Sequence, residues 1–244
     1  MVKKTPSTNH LAQLTDGSYS MGSKKNKSDR VKDTKNSIAN TDYDIHAGLS
    51  DSGVTVYQHK KDKNNVVISH RGTLPGGRKG MKDLFNDATL TLGINFAHKK
   101  RMNQRKRTTE KAIRTLKPKQ LHLTGHSLGG HSVNHSIAGS KLIRDNLTTA
   151  NTFNGARTLT SNLKISKSEK AKLKGKITHH RVSGDIVSIA GKIKPALGGK
   201  VKTTKSVNSS KKKKSLIKKA LGRHPLGLTY KAASAHSLDN FIKK

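Results

Sequence analysis

The stretch from Gln120 to Gly139, QLHLTGHSLGGHSVNHSIAG, constrains the fold more than any other part of the chain. QLHLTG reads as a strand, and HSVNHSIAGSKLIRD, which starts at His131, sets Val133, Ile137 and Leu142 near helical spacing. Between them lie Gly125, Gly129 and Gly130, residues that relieve the crowding of a very sharp turn. The local order is therefore strand, tight turn, helix, and further strands are expected to alternate with helices around it.

The rest of the chain supplies them. VTVYQ (54–58) and NVVISH (65–70) are β-branched runs separated by HKKDKNN, which predicts a hairpin. RGTLPGGRKGMKD then reads as an exposed loop at a strand end. Asn95 to Leu116 is helix-compatible and is stopped by Pro118. TTANTF (148–153) and KITHHRV (176–182) are further strands, with a lysine-rich helix or surface loop between them. The sum is an α/β fold whose central sheet is mostly parallel after the first hairpin and is flanked by helices.

Charge sets the organisation around this core. Lys and Arg number 50 against 14 Asp and Glu, a formal charge of +36, while hydrophobic residues make up only 31%. A core of ordinary density then has to coexist with solvated basic segments. Residues 1–40 read as a basic arm that orders only locally and contributes little core. Residues 41–190 read as the core, 191–224 as a lysine-rich insertion that interrupts it, and 225–244 as a segment that completes it. Within the insertion, Leu216, Ile217, Ala220 and Leu221 predict a short amphipathic helix. Cysteine is absent, which excludes a disulfide framework, a thiol nucleophile and a cysteine zinc site. No apolar signal-peptide core and no membrane-length apolar run is found, so the expected setting is cytoplasmic or virion-associated, with any membrane contact peripheral.

Gly125 to Gly129, GHSLG, fits the GxSxG pattern in which a strand-to-helix turn projects a serine hydroxyl, here Ser127. A serine is a weak nucleophile and needs an imidazole base, itself oriented by a carboxylate. In the order Ser, acid, His, the acids after Ser127 are Asp145, Glu169, Asp185 and Asp239. Asp185, in SGDIVSI after a strand, is the preferred one. Only His224 and His236 follow it; His236, in HSLDNF, is preferred to His224, which precedes a proline in a basic loop. His126 is a poor base, because its ring is expected to diverge from the serine. His131 and His135 could share a helix face but lack the glutamate of HExxH and a third ligand, so no metal is expected. The amide of Leu128 and a donor at Thr73, in VVISHRGT, are the candidates for an oxyanion hole.

Taken in order, VVISHRGT, KDLFNDATL, LHLTGHSLGG, NTFNGAR, HHRVSGDIVS and HSLDNF resemble the class 3 lipases, the α/β-hydrolase family of fungal triacylglycerol lipases. The resemblance implies the α/β-hydrolase fold, Ser127, Asp185 and His236 as a triad, and Thr73 and Leu128 at the oxyanion hole. It also implies hydrolysis of lipid or other carboxylic esters without a cofactor. Where the family commonly has FRGT and FGxPR, this chain has SHRGT and FNGAR, so His70 stands in place of an aromatic. An aromatic-rich lid is not evident; LPGGRKGMKDLF is short and basic. The basic blocks suit recruitment to an anionic membrane. They suit equally the alternative of a basic nucleic-acid-associated or virion protein that keeps the fold with little activity, although no sequence-reading motif for nucleic acid is present. A third reading treats the lysines as a solubility device.

Overall fold

The computed structural model describes residues 5–74, 96–155, 165–183, 185, 197–205 and 236–242. Helices α1 (Thr8–Met21) and α2 (Lys27–Ser37) precede strands β1 (Tyr43–Ile45), β2 (Val54–His59) and β3 (Asn65–His70). Then follow α3 (Phe96–Leu116), β4 (Gln120–His126), α4 (Leu128–Gly139), α5 (Lys141–Asn146), β5 (Leu147–Phe153), α6 (Lys167–Lys172), β6 (Ile177–Val182) and β7 (Lys200–Thr204). The architecture is α/β: one seven-stranded sheet in the order β1-β2-β3-β4-β5-β6-β7, antiparallel through β3 and parallel from β3 onward. The predicted hairpin is β2–β3, in register from Val54 opposite His70 to Gln58 opposite Val66.

This strand order explains what the N-terminus does. Each parallel step moves one place in the same direction, and right-handed crossovers then put every connecting helix on the same face. Accordingly, Ala112 and Ile113 of α3, Val133 and Ile137 of α4 and Ile143 of α5 pack with Val54, Val56, Val66, Ile68, Leu121 and Leu123. The opposite face, with Tyr57, Val67, Phe153 and Val182, would be left bare, and a parallel sheet has to be covered on both faces. Leu11, Ala12, Leu14 and Met21 of α1 cover it, together with Ile38, Leu238 and Phe241.

Residues 1–40 therefore depart from the expected loosely ordered arm. Ser7 caps α1 by accepting from the His10 amide, and Asn26 caps α2 by accepting from Asp29. Buried Thr15 joins α1 to the sheet through a 2.7 Å hydroxyl contact with Thr124 of β4. Its apolar stripe is thin because Thr15, Gly17 and Ser18 occupy buried positions, so the segment reads as polar although it packs as core.

The lysine-rich insertion also departs from expectation. Part of it is β7, which extends the sheet by pairing in parallel with β6 from Thr178–Lys200 to Val182–Thr204. The single helix expected after the tight turn is two, because Ser140 breaks out of helical geometry and caps α5 through the Ile143 amide. The expected amphipathic helix at 216–221, His224, and the loop and KDLFNDATL segment beyond Leu74 lie outside the described residues. Among the described residues, no helix is long and apolar enough to cross a membrane.

Candidate active site

Ser127 is the one residue between β4 and α4. It sits at φ 55°, ψ −126°, a conformation that costs a non-glycine residue about 1–3 kcal/mol and persists only where its surroundings enforce it. Here the Ser127 amide donates to the Phe153 carbonyl at 3.1 Å, while its own carbonyl accepts from the amides of Gly130 and His131. The glycines make room for the turn. A Cβ on Gly129 would land on the His70 carbonyl oxygen, and one on Gly125 would lie 2.5 Å from the Gly129 carbonyl oxygen. Ser127 itself is buried.

Asp185 and His236, which are 51 residues apart in sequence, meet in the structure. His236 Nδ1 lies 2.9 Å from Asp185 Oδ1, and both residues are buried. A carboxylate only accepts, so Nδ1–H is the donor, and the neutral ring keeps the lone pair on Nε2. That Nε2 is buried and has no hydrogen-bond partner among the described residues.

The two halves of the site are tied together by His126. Its Nε2 lies 2.6 Å from the main-chain carbonyl oxygen of His236, its Nδ1 lies 2.7 Å from the Tyr19 hydroxyl, and its ring is centred 4.6 Å from that of His236. The carbonyl can only accept, so His126 Nε2 carries the proton and Nδ1 accepts from Tyr19. Burial and the neighbouring His236 push the His126 pKa down to about 3, which keeps the ring neutral. Both nitrogens of His126 are thus engaged in hydrogen bonds. Its bracing role, and the part of Tyr19, are new relative to the sequence reading. Tyr19 carried no signal, because it lies in the segment read as an arm.

The loop after β3 runs against Ser127. A Cβ on Gly72 would lie 2.5 Å from Tyr19 Oη, 2.8 Å from the His126 carbonyl oxygen and 3.2 Å from Ser127 Cβ. Thr73 follows directly, and its Oγ1 is buried without a hydrogen-bond partner among the described residues. Leu128 opens α4, so its amide is one of the four that a helix leaves unpaired at its positive end. The structure brings Asp185 and His236 together, links them through His126 to Ser127, and sets Gly72 beside that serine.

Two other histidines resolve differently from a ligand or pocket role. His70 is a buried pin: its Nδ1 pairs with Ser132 Oγ at 2.8 Å and its Nε2 with Thr109 Oγ1 at 2.9 Å, joining β3 to α4 and α3. Burial, with Arg105 nearby, lowers its pKa to about 3. His135 on α4 pairs with Asn103 of α3 at 3.4 Å. Among the described residues, no group of three or more His, Cys, Asp or Glu side chains could hold a metal ion. No protein-family model matches the chain, and a search of curated proteins gives no match.

Proposed function

We propose that this chain is a serine hydrolase of the α/β-hydrolase type that cleaves carboxylic esters, lipid esters foremost, as the resemblance to class 3 lipases implies. The observation that carries the reading is the buried Asp185–His236 pair tied to the strained Ser127 turn through His126. In this reading Ser127 Oγ attacks the ester carbonyl and its proton passes to His236 Nε2. Asp185 stabilises the resulting imidazolium. The negative charge on the carbonyl oxygen is met by the Leu128 amide and by Thr73, each such donor being worth about 3–4 kcal/mol in the barrier. The alcohol leaves with the proton from His236. Water, deprotonated by the same nitrogen, then releases the acid and restores the serine. No step calls for a cofactor.

Exposed cations of α3, among them Lys99, Lys100, Arg107 and Lys111, would hold the enzyme on an anionic membrane, with each cation near the surface contributing about 1 kcal/mol. Those same cations form no ion pair among the described residues, which favours a second reading, a polyanion-binding protein without catalysis. A fluorophosphonate probe separates the two. Labelling that Ser127→Ala abolishes, together with ester turnover, supports the hydrolase. An unlabelled, inactive protein that DNA retains in a salt-dependent manner supports the second reading.

A further inference from the structure

Beside the nucleophile loop lies a charge arrangement that the hydrolase chemistry does not use. Arg105 of α3 is only 5% exposed. Its Nη1 donates to the Arg71 carbonyl at 2.6 Å, but its Nε is buried without a partner and it forms no ion pair among the described residues. The carboxylate whose charge favours the Arg105 cation, Asp51, has its oxygens hydrogen-bonded elsewhere. Its Oδ1 accepts from the Gly53 and Val54 amides, and its Oδ2 accepts from the Thr108 hydroxyl.

Two more guanidinium groups crowd the same place. Arg71 is half-buried and, among the described residues, donates to the carbonyls of Ser52 and Gly72. Arg101, one helical turn before Arg105, is exposed. Both act electrostatically on Arg105, and burial with these two like charges pushes its pKa down to about 10. Native structures pair a buried charge, since an unpaired one is costly. Three mutually repelling cations, the innermost with an unpartnered Nε donor, are the complement of a compact, multiply charged oxyanion.

We propose that Arg71, Arg101 and Arg105 form a binding site for a phosphate group. Arg105 is its floor, Arg101 its solvent-facing rim, and Arg71 joins it to the loop of Gly72 and Thr73. The peptide link from Arg71 to Gly72, whose Cα packs against Ser127, ties the site to the nucleophile. Resting on the hydrolase reading, this makes the favoured substrate an ester that carries a phosphate headgroup. The binding itself does not depend on that reading.

The test uses the full chain and one probe common to both questions, inorganic phosphate, with thermal melting as the readout. Wild type and Ser127→Ala are expected to show a saturable rise in Tm with phosphate. Arg101→Gln, an exposed change that spares the fold, weakens the apparent affinity about tenfold, the loss of one charge-assisted hydrogen bond. Lys32→Gln, with the same change in net charge at an exposed position of α2, keeps the wild-type response. No phosphate response, or equal loss in the two variants, overturns the site, whether or not any ester is cleaved. Turnover of dihexanoylglycerol phosphate against dihexanoylglycerol assigns the source. A preference for the phosphate ester that Arg101→Gln reduces points to a substrate headgroup. A melting response without that preference points to free phosphate binding at the same site. If neither ester is cleaved and no fluorophosphonate labelling occurs, the hydrolase reading fails while the melting data still decide the site.

Discussion

Acid should unfold this protein well before its carboxylates titrate, because its core is stocked with histidines that fold only as neutral rings. Burial lowers the pKa of His70 and His126 to about 3 and of His122 and His180 to about 4, and it lowers that of His179 in the same direction. The unfolded chain takes up these protons near the ordinary value of 6.5, so below that pH it binds more protons than the native state and stability falls. The loss runs from about pH 6.5 down to the native values near 4 and 3. At pH 5 each of the four histidines whose native values lie near 3 or 4 costs about 2 kcal/mol, about 8 kcal/mol together, against a typical total stability of about 5–15 kcal/mol. The +36 chain also repels protons when unfolded; a depression of about half a pKa unit there trims the sum to about 5 kcal/mol. Urea unfolding at constant ionic strength, from about pH 7.5 to 5, is expected to show a steep fall in midpoint at unchanged slope. His122→Gln, which removes one of the four protonations, should shrink that fall by about a quarter. A midpoint that stays flat over this range would refute the reasoning.

Other consequences follow from single residues. On the hydrolase reading, Asp185→Asn removes the acceptor that sets the His236 tautomer, and kcat is expected to fall about 10⁴-fold with little change in fluorescence-monitored unfolding. Tyr19→Phe leaves His126 Nδ1 buried without its donor, which costs about 1–3 kcal/mol in urea unfolding and loosens the hold on His236. A variant with wild-type stability and turnover would remove Tyr19 from the site. Leu14→Ala, at a fully buried position of α1, should destabilise by about 2–5 kcal/mol, and a loss below about 0.5 kcal/mol would mean that α1 is not part of the core in solution.

How much of this was legible in the sequence depends on how local the deciding interactions are. The hairpin, β4, the Ser127 turn and the following helix were readable, because β-branched runs, glycine and Pro118 act over a few residues. The N-terminal helices carried signals too, the caps Ser7 and Asn26 and the spacing of Leu11, Leu14, Ser18 and Met21. They were masked by lysine content and by buried Thr15, Gly17 and Ser18, whose burial reflects close approach to the sheet.

What the sequence determined by itself was a mostly parallel α/β sheet with a serine on a sharp strand-to-helix turn, and a short set of acids and histidines near it in the fold's order. Tertiary structure decided which polar groups meet. The Asp185–His236 contact spans 51 residues, and the Tyr19–His126–His236 brace joins the first helix, the turn and the C-terminus. It also decided that residues 8–21 and 27–37 fold as helices, since a sheet wound in one direction leaves a bare face that only a distant segment can cover. Such pairings depend on distances between elements, and those are set by the packing of the whole sheet.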